Sequence, residues 1–443
     1  MPVTQIASTN ADERPSFSEL LRLFTRIGLL SFGGPAGQIA LMHRELVEER
    51  RWIDEAHYLH ALNFCHFLPG PEAQQLATYI GWRLHGVKGG LAAGLLFVLP
   101  GALVILLLSI LYAYAASLDW FAGVFLGVKA AVLAIVMQAL WRIGARALTT
   151  PLKCGIAAFS FVALALLALP FPLVIALAGG VGVLVARLSP DLLALKPAGT
   201  VPHFEPIGWA APLRTIIGWL LIWALPMLLI WVTLGPDHRL SQIGVFFSKL
   251  AVVTFGGAYA VLAYMAQQAV DTLGWMQPGE MADGLGLAET TPGPLILVTQ
   301  FTGFLAAFRA PEPFTPLVAG IMGAALTSWV TFAPCFLWIF TFAPWIERLE
   351  HIAWLKGGLA AITAAVVGVI ANLTLWFAFH VLFSRHQAVT AGPLRFTIPD
   401  AASINWLAVG LSLVALVLIF VVRWGVLRTL LATGGLALIA ALL

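Results

Sequence analysis

Glycine and proline motifs are the residues of this chain whose type and spacing best fit a binding site. They are Phe32-Gly33-Gly34-Pro35, Pro69-Gly70-Pro71, Phe255-Gly256-Gly257-Ala258 and Pro292-Gly293-Pro294. Glycine and proline interrupt helices, and a helix that restarts after them begins with free N–H groups and a positive dipole end. Pro35 and Pro71 suit the first helical position, where a missing N–H costs nothing. Several such N-termini together would bind an anion.

The motifs belong to an internal repeat. Three landmarks return 223 positions later, namely Ser31 as Thr254, Trp52 as Trp275 and Gly70 as Gly293. Several matches in one gapless register indicate a duplication. The alternative is that glycine and proline only kink packed helices.

Three basic residues lie inside otherwise apolar sequence. Arg26 and Lys249 occupy equivalent positions, six residues before each Phe-Gly-Gly, and Lys129 lies in the middle of an apolar segment. A charge at the centre of a membrane helix costs roughly 2.5–3.5 kcal/mol, so a function is the default hypothesis. All three are predicted to attract or bind the anion. Arg26 and Lys249 could instead reach the interface with their long side chains.

Two carboxylates flank the Pro-Gly-Pro motifs. Glu72 would lie in the first turn of a restarted helix, where the dipole favours a negative charge. Glu72 and Glu289 are also candidates for coupling proton flow to transport. Neutral side chains nearby could bind oxygen atoms or satisfy local backbone: Asn63, Gln74, Gln75, Gln267, Gln268, Thr290 and Thr291.

Enzyme signatures are weak. His57, His60 and His66 could be metal ligands, but membrane-interface histidines are commoner, so neither a metal nor a cofactor is predicted. The sequence lacks a Gly-Lys-Ser/Thr phosphate loop and a hydrolase triad pattern, which argues against an enzyme. The three cysteines are odd in number and far apart, so they predict no disulfide framework.

The elements that carry these residues must be membrane helices. Of 443 residues, 60% are hydrophobic and 10% are charged, against roughly 25% charged in soluble domains. The mean hydropathy is +0.93, so a lipid bilayer must solvate most of the surface. The net charge is only +3, and most basic residues lie at the ends of apolar segments, where they form no nucleic-acid-binding face. The polar N-terminus does not read as a signal peptide.

We therefore predict an all-α integral membrane protein with thirteen hydrophobic segments: 17–43, 56–82, 90–116, 120–140, 154–169, 172–187, 213–235, 243–268, 282–306, 316–342, 357–381, 404–422 and 424–443. A polar segment 1–16 precedes a first repeat, 17–188. A proline-rich linker, 189–212, leads to a second repeat, 213–443.

Loop charges predict that the repeats are inverted. The loop between the first two motifs holds Arg44, Arg50 and Arg51, whereas its counterpart at 269–281 has no lysine or arginine. The positive-inside rule places these loops on opposite sides. The remaining charges agree if the four motif-bearing segments are re-entrant hairpins and nine segments span fully, because non-helical backbone is tolerated at membrane depth when buried in protein.

The motifs resemble the signatures of the chromate ion transporter (CHR) family in its long form, with two fused halves of opposite orientation. The resemblance covers nearly the whole chain and departs from the pattern at Ala258, which stands where the first half has Pro35. It implies chromate efflux and resistance, with sulfate as a related substrate.

These observations predict a secondary transporter that exports a tetrahedral oxyanion, most simply chromate, across a bacterial inner membrane by alternating access. Export of one negative charge gains about 2.3 kcal/mol per 100 mV, so it needs no ATP motif. The alternative is a transporter or channel for sulfate or another small anion. The sequence leaves the coupling ion and the oligomeric state open, a homodimer included.

Overall fold

The computed structural model describes residues 15–32, 34–116, 118–195, 210–255, 258–346, 352–392 and 394–442. Three motif residues, Gly33, Gly256 and Gly257, lie outside the described residues, as do 1–14 of the predicted N-terminal segment and 196–209 of the predicted linker.

Among the described residues, the first half contains seven α-helices. They are α1 Phe17–Leu30, α2 Gly34–His43, α3 Glu55–Phe67, α4 Glu72–Ala115, α5 Asp119–Ala147, α6 Pro151–Ala165 and α7 Phe171–Leu188. A π-helical turn, Arg44–Glu49, continues α2. Ser16 begins α1 with a capping box to Glu19, and the Asp54 side chain accepts the His57 N–H at the start of α3.

The second half contains the remaining helices and a small hairpin. They are α8 Ala210–Leu234, α9 Arg239–Val253, α10 Ala258–Ala266, α11 Pro278–Thr290, α12 Val298–Phe308, α13 Pro316–Phe342, α14 Ala353–Leu382, β1 His386–Ala391, β2 Leu394–Pro399, α15 Trp406–Leu416 and α16 Val426–Leu442. The strands pair antiparallel between α14 and α15. Further π-helical turns lie at Gln267–Thr272 and Val417–Val421.

α4 is a helical hairpin. Its backbone leaves the helical region at His85 (φ −134°, ψ 25°) and Gly86 (φ 62°, ψ −154°). A Cβ atom on Gly81 would lie 2.3 Å from the carbonyl oxygen of Gly89. Residues eight apart in a straight helix are about 12 Å apart, so the chain reverses here into two packed arms, 72–84 and 87–115.

The surface shows a mainly α-helical membrane protein, and the β1–β2 hairpin is a small departure from the all-α prediction. Six helices of the described residues are long and apolar enough to cross a bilayer, and four shorter helices are also apolar. Large apolar side chains such as Leu103, Leu107 and Leu111 are more than half exposed on one face of α4. Such a surface needs hydrocarbon as its solvent.

The two halves are packed into each other. α5 of the first half contacts α14, α15 and α16 of the second, while α6 and α7 both pack on α14. α1 packs on α4, and α13 also contacts α4. One core therefore holds residues of both halves.

Aromatic contacts mark the two ends of the 87–115 arm. At its start, the ring of Phe17 meets the ring of His85 with centroids 5.6 Å apart. At its far end, Tyr114 meets Phe308 at 5.5 Å. The start of α1 and the end of α12 therefore lie at opposite ends of this arm.

Candidate functional site

Two helix pairs are interrupted where the Gly-Gly motifs predict. α1 ends at Leu30 and α2 begins at Gly34, whose φ of +69° favours glycine. α9 ends at Val253 and α10 begins at Ala258. The predicted helix breaks are therefore present on the described flanks of both motifs, and Pro35 lies in the first turn of α2.

The Pro-Gly-Pro motifs form the other two turns. Gly70 (φ +119°) and Gly293 (φ +95°) both adopt left-handed backbone, which disfavours any side chain. Pro71 is the N-cap of α4. Pro294 precedes a short 3₁₀ turn, Leu295–Leu297, that runs into α12. Pro69 and Pro292 begin the two turns.

Two reciprocal hydrogen bonds join these four turns across the halves. The Gly70 N–H donates to the Thr254 carbonyl oxygen at 2.9 Å, and the Gly293 N–H donates to the Ser31 carbonyl oxygen at 2.9 Å. Donors and acceptors correspond under the 223-residue shift of the repeat. Each half thus ties its Pro-Gly-Pro turn to the interrupted helix of the other half.

Buried amide side chains support the turns. Gln38 donates to the Gly293 carbonyl oxygen at 2.6 Å, and Gln75 donates to the Pro69 carbonyl oxygen at 2.7 Å. The side-chain oxygen of each is buried without a hydrogen-bond partner among the described residues. Gln38 gives no signal in the sequence, because glutamine is ordinary in a helix and its partner lies 255 residues away.

Gly101 allows α4 to approach the second Pro-Gly-Pro turn. A Cβ atom there would lie 2.2 Å from the Pro292 carbonyl oxygen and 3.0 Å from the Gly293 Cα. Real Cβ atoms do not approach backbone so closely, so only glycine fits without movement. This contact also escaped the sequence analysis.

The helix starts at the turns lack side-chain caps. Neither Pro71 before α4 nor Pro294 before the 3₁₀ turn offers a side-chain hydrogen bond to the first N–H groups. The free N–H groups of such uncapped N-termini can donate hydrogen bonds to an anion beside the turn.

The two predicted coupling carboxylates are both buried. Glu72 lies in the first turn of α4, with an oxygen 3.4 Å from the His66 ring. Glu289 lies in the last turn of α11 and accepts a 2.7 Å hydrogen bond from the Tyr259 hydroxyl. Thr290 and Thr291 donate to carbonyl oxygens one turn back, so their hydroxyls serve local backbone.

Arg26 and Lys249 occupy different surroundings. The Arg26 guanidinium lies 3.4 Å from Glu45, a carboxylate whose side chain is 1% exposed and also bonds Arg50. The Lys249 side chain is exposed. The two equivalent residues therefore differ in their contacts, and their contact with an anion stays a prediction.

Lys129 is paired across the halves. Its ammonium nitrogen lies 3.3 Å from Oδ2 of the buried Asp283 on α11, and the same oxygen accepts a 2.7 Å hydrogen bond from the Tyr112 hydroxyl. Asp283 was missed because its sequence neighbourhood carries no motif.

The histidines form no metal-ligand cluster. Among the described residues, no group of three or more histidine, cysteine or acidic side chains has metal-binding geometry. His57 instead bonds Asp54, and His66 faces Glu72.

Fold and site define a multi-pass α-helical membrane protein whose helices are interrupted within its apolar core. The chain belongs to the chromate transporter family, whose model matches residues 18–183 and 241–441.

Several curated relatives cover most of the chain. A chromate transport protein of Pseudomonas aeruginosa is 32% identical over 90% of both chains. One of Cupriavidus metallidurans is 29% identical over 84% of this chain and 86% of its own. An uncharacterized transporter of Methanocaldococcus jannaschii is 26% identical over 84% and 86%. No solved structure matches the fold.

Proposed function

We propose that this protein is a secondary transporter that exports chromate across a bacterial inner membrane, and not an enzyme. The observation that carries the proposal is the reciprocal pair of hydrogen bonds that gathers four helix interruptions in a member of the chromate transporter family. Relatives named chromate transport proteins, at 29% and 32% identity, support the substrate.

The proposed binding site lies beside the four turns. Its candidates are Gly33, Gly34, Pro35, Pro69, Gly70, Pro71, Gly256, Gly257, Pro292, Gly293 and Pro294. Backbone N–H groups at restarted helices can donate to the oxygens of a tetrahedral dianion, and the helix dipoles favour its charge. In the low dielectric of the bilayer these interactions are stronger than in water.

One contact supports a re-entrant hairpin in the first half. Arg26 lies before the interruption and Glu45 lies beyond α2, yet their side chains pair at 3.4 Å. If α2 continued across the membrane, these residues would be separated by about 20 Å of helix rise. α2 therefore returns toward the side from which α1 came.

Contacts in the second half support hairpins that open on the other side. Arg309, just beyond α12, bonds Glu280 at the start of α11, and the Arg239 guanidinium at the start of α9 lies 5.5 Å from the Trp275 ring centroid. These residues share an end with Phe308, which meets Tyr114. We infer two inverted repeats, 17–188 and 213–443, joined through the linker 189–212.

Hairpins that open on opposite faces of the membrane in the two halves are compatible with transport by alternating access. Each half presents its turns to the same central region but opens on an opposite face of the membrane. Rocking one half against the other would expose the anion to one side at a time.

The arginine distribution supports a cytoplasmic position for the C-terminal end of α5. A cavity of about 450 Å³ is lined by Arg142, Arg146 and Arg423 at the C-terminal end of α5 and the turn before α16. By the positive-inside rule this end is cytoplasmic. Its positive charge would raise the local concentration of anions before export.

The membrane potential favours export. A dianion leaving an inside-negative cell gains about 4.6 kcal/mol per 100 mV, twice the value for one charge. Uptake against the same potential would need co-transported cations.

Flux into proteoliposomes tests this proposal. Purified protein is reconstituted, a potassium gradient with valinomycin sets the potential, and entry of radioactive chromate is measured with excess sulfate or chloride as competitors. We expect chromate entry that increases when the interior is positive and that sulfate competes. Entry no faster than in protein-free liposomes would overturn the proposal.

A further inference from the structure

A partly buried charged cluster joins the two halves beside the proposed path. Asp283 of α11 is 4% exposed, Lys129 comes from α5 and Tyr112 from the 87–115 arm of α4. Tyr112 lies 11 residues beyond Gly101, about 16 Å along the helix, toward the end where α12 finishes. The cluster therefore lies between the four turns and the proposed outer face.

The two carboxylate oxygens of Asp283 differ in their contacts. Tyr112 and Lys129 both contact Oδ2, at 2.7 and 3.3 Å, while the buried Oδ1 has no hydrogen-bond partner among the described residues. A carboxylate can accept on both oxygens, and an unsatisfied buried acceptor is costly. Oδ1 can take a proton without breaking either contact to Oδ2.

The apolar surroundings make this ion pair energetically costly if its only role is structural. The Tyr112 ring packs edge-on against Phe121, Phe125 and Phe301, with centroids 5.1 to 5.8 Å away. Burying the Asp283 charge costs several kcal/mol, while the Lys129 side chain stays 25% exposed, so this ion pair is weak evidence for stability. A buried ionisable residue within a membrane protein is by default a candidate for a transport or proton pathway.

Other charges near Asp283 are already matched. Glu280, one turn earlier on α11, pairs with Arg309 from beyond α12. Lys129 from α5 and Tyr112 from α4 are the groups facing Asp283 from neighbouring helices. Gly279 leaves room for the lysine, since a Cβ there would lie 2.9 Å from its ammonium nitrogen.

We propose that Asp283 is a proton-binding site that controls whether Lys129 is free to bind the transported oxyanion. The ionised carboxylate holds the ammonium in a neutral pair. When Oδ1 takes a proton from water, an O–H bond forms and the cluster gains one positive charge. Lys129 can then pair with the oxyanion, and loss of the proton restores the ion pair and releases the anion.

This inference rests on the proposed oxyanion transport and adds proton coupling to it. One proton bound per anion would reduce the negative charge moved with a dianion from two to one. Transport would then respond to pH as well as to the membrane potential.

The test compares chromate transport at several pH values in everted vesicles that contain wild-type protein, Asp283→Asn or Lys129→Gln. Chromate itself takes up protons near neutral pH, but this change is the same for every variant. Asp271→Asn serves as the control, because it removes an exposed carboxylate in the π-helical turn Gln267–Thr272 that follows α10.

We expect the KM of the wild type for chromate to rise between pH 6 and pH 8.5. The fold-increase should be about ten times that of Asp283→Asn. Asp283→Asn should keep a low KM throughout, Lys129→Gln a high one, and Asp271→Asn should follow the wild type. Asp283→Glu, which can still titrate, should retain the dependence. An Asp283→Asn profile equal to that of the wild type would overturn the inference while leaving chromate transport intact.

Infrared difference spectroscopy provides a readout that needs no transport. Between pH 5 and pH 9, purified wild-type protein should show a protonated carboxyl band that Asp283→Asn lacks. The same bands in both proteins would contradict the proton site even if chromate were not the substrate. Absence of wild-type chromate flux, with the band present, would instead contradict only the proposed function.

Discussion

At the scale of single residues, the turns of the proposed site and the helix that contacts them require glycine at three positions. Gly70 and Gly293 hold left-handed backbone and donate the two N–H groups that join the halves. Gly101 lets a helix touch the second of these turns. The proposed site would therefore be made mainly of backbone.

Substituting Gly101 tests this close approach. Gly101→Ala should displace α4 from the 292–293 turn and lower the chromate transport rate about tenfold, since overpacking typically costs 1–3 kcal/mol. Vesicle flux, normalised to protein in the membrane, measures the effect.

Gly218→Ala is the matched control, because a Cβ on this α8 glycine would meet nothing within 4 Å. It should transport at the wild-type rate. Equal rates for both alanine variants would show that the contact at Gly101 is unimportant.

At the scale of elements, charged residues outside the turns hold the hairpins in place. Glu45, at the end of the α2 hairpin, is buried between Arg26 and Arg50. Asp54 begins α3 by accepting the His57 N–H. These contacts hold α2 and α3, which lead to the two first-half turns of the proposed site.

The Glu45 contacts predict a strong dependence of stability on its partners. Replacing both Arg26 and Arg50 by glutamine should lower the free energy of unfolding by about 3–5 kcal/mol, since it leaves a buried unpaired carboxylate. Thermal unfolding in detergent measures this loss.

Adding Glu45→Gln to that double variant should restore most of the stability, because no charge then remains to be compensated. If the triple variant were as unstable as the double variant, the ion pairs would not be the cause. For Arg26→Gln alone, a raised KM without lower stability would favour the predicted contact with the anion.

The cap at Asp54 predicts a pH-dependent contribution. Partial burial acts to raise the pKa of Asp54, but hydrogen bonds from the His57 backbone and ring outweigh it and hold the pKa below its usual value. Its stabilising effect is therefore present at neutral pH and is lost as the pH falls through that lowered pKa.

Asp54→Ala should cost about 1 kcal/mol at pH 7, measured by thermal unfolding. Asp54→Asn, which can still cap the helix, should cost less, and its stability should fall less than that of the wild type between pH 6 and pH 3. An unchanged melting temperature in Asp54→Ala would rule out a stabilising cap.

At the scale of the whole molecule, the account depends on two halves that open on opposite faces. Cysteines placed at Glu48 and Thr272, in a Cys154→Ser background, should react with an impermeant reagent from opposite sides of the membrane. Both chosen positions and Cys154 are exposed, whereas Cys65 and Cys335 are buried. Labelling of both cysteines from one side would refute the inversion.

Local signals predicted the membrane class and the helix interruptions, because hydropathy and the conformational needs of glycine and proline act within a few residues. Partners far apart in sequence could not be predicted in this way. Lys129 gave a signal as a lone charge, but its partner Asp283 lies 154 residues away and is set by packing of α5 on α11. Gln38 and Gly101 likewise gain meaning only where the second half meets them.

The central claim is that chromate binds where the four turns meet. Chromate accumulation in everted vesicles, compared among wild type, Gly70→Leu with Gly293→Leu, and Gly218→Leu, tests it most directly. We expect accumulation in wild type and Gly218→Leu, and a loss to the level of empty-vector vesicles in the double variant, provided that it reaches the membrane in equal amount. Undiminished accumulation by a double variant present at equal amount would contradict the account.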